Sequence, residues 1–141
     1  GTGAMGLEAL SRGSVGAVFV DDTAAATRLI KKNLDLCNFS DRARVVKRDL
    51  LKSLAFLGKL RPLAGFDLIF VDPPYRREIS IKIMNNLGKS TLLAKDGLLI
   101  VEEAGEIELP DDLGNLTMID RRLYGDTAIH LYENLPDRES P

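Results

Sequence analysis

The stretch Phe66-Asp67-Leu68-Ile69-Phe70-Val71-Asp72-Pro73-Pro74-Tyr75 decides the fold of this chain. Its first six residues are mostly β-formers between a glycine and two prolines, which predicts a short strand buried on both faces. Proline fixes φ and lacks an amide donor, so the strand must end there and Asp72 is held extended. The loop that follows can present the Asp72 carboxylate, backbone carbonyls and the ring of Tyr75. Such a loop suits a planar molecule that carries an amino group.

Strands and helices alternate on both sides of this stretch, as hydrophobic periodicity and turn residues indicate. Alternation of this kind predicts a mainly parallel sheet covered on both faces, and two late strands without a helix between them predict an antiparallel pair. The predicted helices cover residues 7–12, 24–37, 50–60 and 77–93, and the predicted strands cover residues 15–20, 44–48, 66–71, 98–101, 116–119 and 127–132.

Length and composition favour an ordinary globular protein. A chain of 141 residues with 45% hydrophobic and 28% charged residues can bury a sizeable core. One domain is predicted over residues 1–133, with residues 134–141 as a flexible tail. Neither an apolar run of about 18 residues nor a signal peptide is recognisable, so a cytoplasmic location is expected. The net charge of −2 argues against a broad nucleic-acid surface but leaves room for a local basic patch.

The chain has one cysteine, Cys37, and one histidine, His130. A single cysteine cannot form an intramolecular disulfide, and with so few soft ligands no metal site is expected. Cys37 is predicted to be a small buried hydrophobic residue. His130 is predicted to be a structural residue of the last strand.

Candidate ligand-binding residues follow the predicted strands, because ligands of open α/β sheets bind beyond the carboxyl ends of the strands. Gly1-Thr2-Gly3 would let a ligand approach the backbone closely, although an ordinary glycine turn is the alternative. Asp21 follows Gly3 by 21 − 3 = 18 residues, close to the spacing of about 20 at which an acidic residue binds ribose. Asp49 could accept from an adenine amino group. The alternative for Asp21, its neighbour Asp22 and Asp49 is helix capping.

Three motifs together carry a family resemblance. They are Gly1-Thr2-Gly3 with the run Gly-Leu-Glu-Ala-Leu-Ser-Arg-Gly at residues 6–13, Asp72-Pro73-Pro74-Tyr75, and Tyr124-Gly125-Asp126-Thr127. The chain, up to about Glu133, resembles the bacterial 16S rRNA guanine-N2 methyltransferases (RsmD-type), which are class I S-adenosylmethionine-dependent methyltransferases. Asp-Pro-Pro-Tyr is typical of enzymes that methylate adenine N6, cytosine N4 or guanine N2, and the run at residues 6–13 narrows the resemblance to the rRNA group.

The resemblance implies a Rossmann-like α/β sheet of seven strands with an antiparallel last strand. It also implies that the family's first strand and N-terminal segment would precede Gly1, so the first strand is expected to be absent from this sequence. S-adenosylmethionine is the implied cofactor, with Gly1 and Gly3 at its methionine part, Asp21 at its ribose and Asp49 with Leu50 at its adenine. The full set of implied cofactor-binding residues is Gly1, Thr2, Gly3, Asp21, Asp22, Asp49 and Leu50.

The resemblance further implies that the Asp72 carboxylate and the Pro73 carbonyl hold the target amine, while Tyr75 stacks on the base. The implied catalytic residues are Asp72, Pro73, Pro74 and Tyr75. Two arginine pairs, one directly after Tyr75 and one before the Tyr124-Gly125 turn, are candidate phosphate contacts, with a solvated charged face as the alternative. These are Arg76, Arg77, Arg121 and Arg122.

The function predicted from the sequence is methyl transfer to the exocyclic N2 amine of a guanine in 16S rRNA. The expected partner is 16S rRNA or a small-subunit assembly particle, with the protein acting as a monomer and without a membrane. One alternative is a DNA adenine-N6 or cytosine-N4 methyltransferase, which would share the proline loop. The other is a truncated, non-catalytic module that only binds RNA.

Overall fold

The computed structural model describes residues 3–73 and 77–135 and divides the chain into two compact units, Gly1–Lys52 and Ser53–Pro141. The prediction of a single domain over residues 1–133 stays a prediction. Within the described residues, every helix is too short or too polar to cross a membrane.

The first unit is a small α/β arrangement built on two parallel strands that pair from Ala17↔Ala43 to Asp21↔Lys47. Its buried core joins both helices to the sheet through Leu10, Phe19, Ile30 and Leu34. The elements are α1 (Ala4–Ser11), β1 (Ala17–Asp21), α2 (Ala24–Leu36), a 3₁₀ turn (Ser40–Arg42) and β2 (Ala43–Lys47).

Helix α2 begins as the sequence predicts and ends one residue earlier. The Thr23 hydroxyl accepts a hydrogen bond from Ala26 N at 3.1 Å, so Thr23 caps the helix and Asp22 does not. Cys37 lies just past the helix end and is exposed. The prediction of a buried cysteine is therefore wrong, because the apolar stripe of α2 ends at Leu34.

The second unit contains one five-stranded sheet in the order β3-β4-β7-β6-β5. Strand β7 is antiparallel to both β4 and β6, so β3, β4 and β6 run in the same direction. The antiparallel last strand predicted from the sequence is confirmed. The elements are β3 (Phe66–Val71), α3 (Arg77–Gly88), β4 (Leu93–Ala104), β5 (Asp112–Leu113), β6 (Leu116–Tyr124) and β7 (Thr127–Asn134), with a 3₁₀ turn at Ala55–Lys59.

The core of the second unit lies between α3 and one face of this sheet, which we call the α3 face. Side chains alternate along a strand, so every second residue of β4 and β7 reaches this face. The fully buried residues of the α3 face are Leu99, Val101, Glu103, Ala128, His130 and Tyr132, and α3 contributes Ser80 and Met84. The opposite face carries Ile100, Glu102, Ile129 and Leu131, which are all partly exposed.

The helices predicted at residues 50–60 and 77–93 differ most from the structure. Residues 50–60 form only turns and the short 3₁₀ segment, because the side chains of Asp49 and Ser53 accept from Leu51 N and Ala55 N and compete with helical bonding. Helix α3 stops at Gly88 instead of residue 93. There the Ser90 hydroxyl donates to the Leu87 carbonyl, which caps the helix end.

The last strand is longer than predicted. Strand β7 reaches Asn134, whose side-chain amide donates to the carbonyls of Leu93 and Ala94 at 2.9 and 3.1 Å. Leu135 N donates to Asn115 O at 2.8 Å. Asn134 and Leu135 are therefore part of the folded unit, and residues 136–141, the rest of the predicted tail, lie outside the described residues.

Candidate active site

Strand β3 ends as the sequence predicts, and Asp72 follows it directly. Parallel pairing of β3 with β4 runs up to Val71↔Val101. Asp72 is exposed and Pro73 is buried, so a buried ring holds the loop while the carboxylate remains accessible. Pro74, Tyr75 and Arg76 lie outside the described residues, and their implied roles stay predictions.

Glu102 is the neighbour of Asp72 on β4. Because Val71 pairs with Val101, the next residues, Asp72 and Glu102, are adjacent across the two strands on the face opposite α3. Partial burial raises the pKa of Glu102, and the negative charge of Asp72 raises it further. Partial burial of its carboxyl group likewise raises the pKa of Asp72, although the residue as a whole is exposed. The end of β3 therefore carries two electrostatically coupled carboxyl groups.

Glu103 points the other way, into the core. It is completely buried, and its carboxylate accepts hydrogen bonds from the Ser80 hydroxyl of α3 and from Ala104 N. The sequence motifs point to neither Glu102 nor Glu103. Strand alternation provides the missing signal, since two consecutive residues of a strand must face opposite sides of the sheet.

In the first unit, Gly3 is the N-cap residue of α1 and has a φ of +80°. An added Cβ would lie 3.2 Å from the Phe19 ring and 3.3 Å from Ile30, so a side chain would be both strained and crowded. The glycine is therefore required by backbone conformation and by packing. Gly1 and Thr2 lie outside the described residues.

Asp21 is the last residue of β1, and its Oδ1 accepts hydrogen bonds from Thr23 N at 2.9 Å and Thr23 Oγ1 at 3.1 Å. Burial alone would raise the pKa of Asp21, but hydrogen bonds, among them those from Thr23, outweigh it and lower the pKa. Asp21 thus stays a carboxylate. Asp22 beside it is exposed.

Asp49 and Leu50 follow β2 in a turn and are both half-buried. The Oδ1 of Asp49 accepts from Leu51 N at 2.9 Å, which is a local turn contact and not a helix cap. The helix-capping alternative for Asp49 is wrong because no helix starts there in the described turn. Since β1 and β2 are parallel neighbours, Asp21 and Asp49 lie at the same edge of their sheet.

The described arginines of the predicted RNA contacts are exposed, and each already has at least one partner. Arg77 Nε donates to Glu108 O at 2.8 Å, and Arg121 Nη2 donates to Gly105 O at 2.8 Å. Arg122 Nε pairs with Asp120 Oδ2 at 2.8 Å. A guanidinium has five N–H donors, so each of these side chains retains the capacity to bind a phosphate.

Each unit therefore offers a set of acceptors at a strand edge. Asp21 and Asp49 can accept from hydroxyl and amino groups in the first unit. Asp72 can accept from an amine in the second unit, with Glu102 beside it. These carboxylates suit hydrogen-bonded recognition of a neutral polar ligand.

Comparison with known proteins places the sequence in a family. Residues 1–133 match the family described as Conserved hypothetical protein 95. Ribosomal RNA small subunit methyltransferase D of Escherichia coli (strain K12) is 34% identical over 140 residues, which are 99% of this chain and 68% of that protein. The structure of yhhF from Escherichia coli, provisionally named a methyltransferase, matches with a TM-score of 0.77 at 32% identity, over 96% of this chain and 71% of that one.

A more distant structure shares the fold. SMU.776, provisionally named a methyltransferase and solved in complex with SAH, matches with a TM-score of 0.71 at 15% identity, over 94% of this chain and 42% of that one. The Rossmann-like class I methyltransferase fold predicted from the sequence is confirmed. The chain belongs to the Conserved hypothetical protein 95 family, the RsmD-type group that its sequence motifs indicate.

Proposed function

We propose that this protein transfers a methyl group from S-adenosylmethionine to the exocyclic N2 amine of a guanine in 16S rRNA. The observation that carries the proposal is the exposed Asp72 carboxylate, held at the end of β3 by the buried Pro73, in a chain of the RsmD-type family. The name of the E. coli relative, a small-subunit rRNA methyltransferase, supports the RNA substrate. A cytoplasmic location and a 16S rRNA or assembly-particle partner belong to the same proposal.

The residues of the first unit fit the cofactor. Asp21 and Asp49 lie at one edge of the β1–β2 sheet with acceptor capacity, which suits ribose hydroxyls and the adenine amino group respectively. The backbone of Gly3 at the start of α1 would lie beside the methionine part, as the family resemblance implies, while its missing side chain makes room for Phe19 and Ile30. Gly1, Thr2, Asp22 and Leu50 complete the proposed set.

The chemistry requires positioning more than acid–base strength. S-adenosylmethionine, when bound, supplies a methyl group that its sulfonium already activates. Asp72 and the Pro73 carbonyl would accept the two N–H bonds of the amine, which orients the nitrogen lone pair for in-line attack. Asp72 and the Pro73 carbonyl would hold the amine while the nitrogen takes up the methyl group. The thioether of S-adenosylhomocysteine would be the leaving group, and the amine proton would leave to solvent. Tyr75 would hold the unpaired guanine by stacking.

Replacement of Asp72 tests this role directly. We expect Asp72→Asn to lower the rate of methyl transfer about a hundredfold or more, as removal of one preorganised polar contact at a reacting centre does. Binding of S-adenosylhomocysteine, measured by calorimetry, should stay unchanged, because the cofactor contacts lie elsewhere. Asp67→Asn, an exposed aspartate on the same strand, is the matched control and should keep full activity.

The assay uses labelled S-adenosylmethionine with 16S rRNA and small-subunit particles from cells that lack the enzyme, and mass spectrometry of the product nucleoside. The expected product is N2-methylguanosine. Methylation of duplex DNA instead of rRNA would establish the DNA-methyltransferase alternative. Binding of RNA without any binding of S-adenosylhomocysteine would establish the non-catalytic alternative.

A further inference from the structure

A transverse row of side chains crosses the second unit's sheet beside Asp72. Strand register pairs Glu102 with Ile129 and Ile129 with Arg122, and Asp72 lies next to Glu102. Directly paired residues share a face, so this row lies on the face opposite α3. With strands about 4.8 Å apart, three steps separate Asp72 from Arg122 by roughly 14 Å. An extended nucleic-acid strand at Asp72 can reach that far.

An irregularity in β6 determines which side chains join this row. The register shifts between Met118 and Asp120, so Ile119 is the extra residue of a bulge. A one-residue shift exchanges the two faces of all following side chains. As a result, Asp120, Arg122 and Tyr124 lie on the face opposite α3, while Arg121 and Leu123 lie on the α3 side.

Asp120, Arg122 and Tyr124 form a ladder along that face. Arg122 Nε donates to Asp120 Oδ2 at 2.8 Å. Arg122 and Tyr124 are two residues apart on the same face of β6, so the Tyr124 hydroxyl can reach the guanidinium. Asp120 raises the pKa of Arg122, and the Tyr124 hydroxyl adds to this effect. Tyr124 is nevertheless 59% exposed. The ladder thus holds an aromatic ring at the surface with a cation beside it.

The ladder also reaches the edge of the sheet at which Asp72 lies. Strands β3, β4 and β6 run in the same direction, so their carboxyl ends lie at one edge of the sheet. Asp72 directly follows β3 and Tyr124 is the last residue of β6, so both lie at this edge. Arg121 has a different task. It lies on the other face, and its guanidinium holds the loop after β4 through Gly105 O.

We propose that Tyr124, oriented by Arg122, is a stacking subsite for an unpaired RNA base a few nucleotides from the target guanine. The inference rests on the proposed function, because it names a second contact of the same RNA. An exposed ring next to a guanidinium is the arrangement that binds single-stranded RNA, through stacking of the base and contact with its phosphate. Arg122 is then the RNA contact of the arginine pair, and Arg121 supports the loop.

Fluorescence anisotropy with short labelled single-stranded RNAs tests the subsite. One RNA carries a single guanine, and a matched series replaces each neighbouring base in turn by an abasic site. We expect Tyr124→Ala to weaken binding of the intact RNA about tenfold, in line with the loss of one stacked base. The same substitution should have no effect on the RNA that lacks the stacked base. Tyr124→Phe keeps the ring but loses the hydroxyl contact with Arg122, so it should weaken binding less than Tyr124→Ala.

Two further variants separate stacking from charge. Arg122→Gln should weaken every RNA, including the one that lacks the stacked base, and reduce the slope of log affinity against log salt by about one. Leu123→Ala is the matched control, since Leu123 is also 59% exposed but lies on the α3 side. It should leave RNA binding unchanged.

Equal losses for Tyr124→Ala and Leu123→Ala, or equal losses on intact and abasic RNA, would overturn the stacking subsite. If Tyr124→Ala binds RNA as tightly as the wild type does, the subsite is overturned, but the proposed function is not affected. Failure of the wild type to bind every RNA or to methylate rRNA would overturn the proposed function together with the subsite.

Discussion

Glu102 and Glu103 show how one residue step changes the role of a carboxylate. Both follow an apolar run, and the sequence alone gives them equal weight. In the structure, Glu103 is 0% exposed and bonded to Ser80, whereas Glu102 lies on the other face beside Asp72. Strand alternation predicts that they differ, but only the position of α3 decides which one is buried.

The two glutamates should therefore respond differently to alanine. Glu103→Ala leaves the buried Ser80 hydroxyl without its acceptor and opens a cavity, so we expect a loss of about 1–3 kcal/mol in the free energy of unfolding. Glu102→Ala removes a partly exposed carboxyl group with a raised pKa and should change stability by less than about 0.5 kcal/mol. Urea denaturation at neutral pH measures both. Similar losses for the two variants would contradict the assignment of the faces.

The raised pKa of Asp72 has a consequence for activity. A carboxylate accepts the N–H of the amine, whereas the protonated form offers a donor in its place. Burial raises the pKa of Asp72, so the rate of methyl transfer should fall with decreasing pH at a higher pH than for an ordinary aspartate. Glu102→Gln removes a neighbouring negative charge and should shift this fall to lower pH. Identical pH–rate profiles for the wild type and Glu102→Gln would show that the carboxyl groups of Asp72 and Glu102 are not coupled.

At the scale of elements, strand β3 was predicted to the residue because its signals are local: a glycine before it, β-formers within it and prolines after it. The prediction of a helix at residues 50–60 is wrong, because side chains accept hydrogen bonds from nearby backbone amides in place of the carbonyls of a helix. A break in hydrophobic alternation at Ile119 would look the same in the sequence whether the strand ended there or contained a bulge. The face of Tyr124 therefore could not be derived from the sequence.

Replacement of Gly65, the residue before β3, tests how strongly the start of this strand depends on a glycine. Gly65 has a φ of +94°, and an added Cβ would lie 2.8 Å from Ala94 N. Alanine there combines left-handed strain with a backbone clash, so we expect Gly65→Ala to lower the free energy of unfolding by about 3 kcal/mol. Gly125→Ala is the control. Its φ is +61° and nothing described lies within 4 Å of the added Cβ, so it should cost only about 1 kcal/mol. Equal costs, measured by urea denaturation, would mean that packing at residue 65 is unimportant.

At the scale of the whole molecule, motif order predicted the fold class and the family, because glycine turns and acidic strand ends recur at fixed places in parallel α/β sheets. Burial was harder to predict. Cys37 is exposed and Glu103 is buried, the reverse of what residue type alone favours, since both outcomes depend on where helices end or pack. The roles of Asp21, Asp49 and Asp72 remain predictions that ligand binding can test.

Ligand binding should stabilise the whole chain by mass action. S-adenosylhomocysteine at about one hundred times its Kd adds about 2.7 kcal/mol, which for a chain of this size raises Tm by about 10 °C. Asp21→Asn keeps an oxygen that can accept from Thr23 but loses the charge proposed to bind ribose. If the affinity for S-adenosylhomocysteine falls about tenfold, the stabilisation at the same ligand concentration falls to about 1.4 kcal/mol. The ligand-induced Tm shift of Asp21→Asn should then be about half that of the wild type.

Differential scanning calorimetry with and without the ligand measures these shifts. Asp41→Asn, an exposed aspartate in the 3₁₀ turn of the first unit, is the control and should keep the full shift. Because each variant is compared with its own ligand-free Tm, any change in intrinsic stability cancels. A full shift in Asp21→Asn would remove Asp21 from the cofactor site, and no shift in the wild type would show that this chain does not bind S-adenosylhomocysteine.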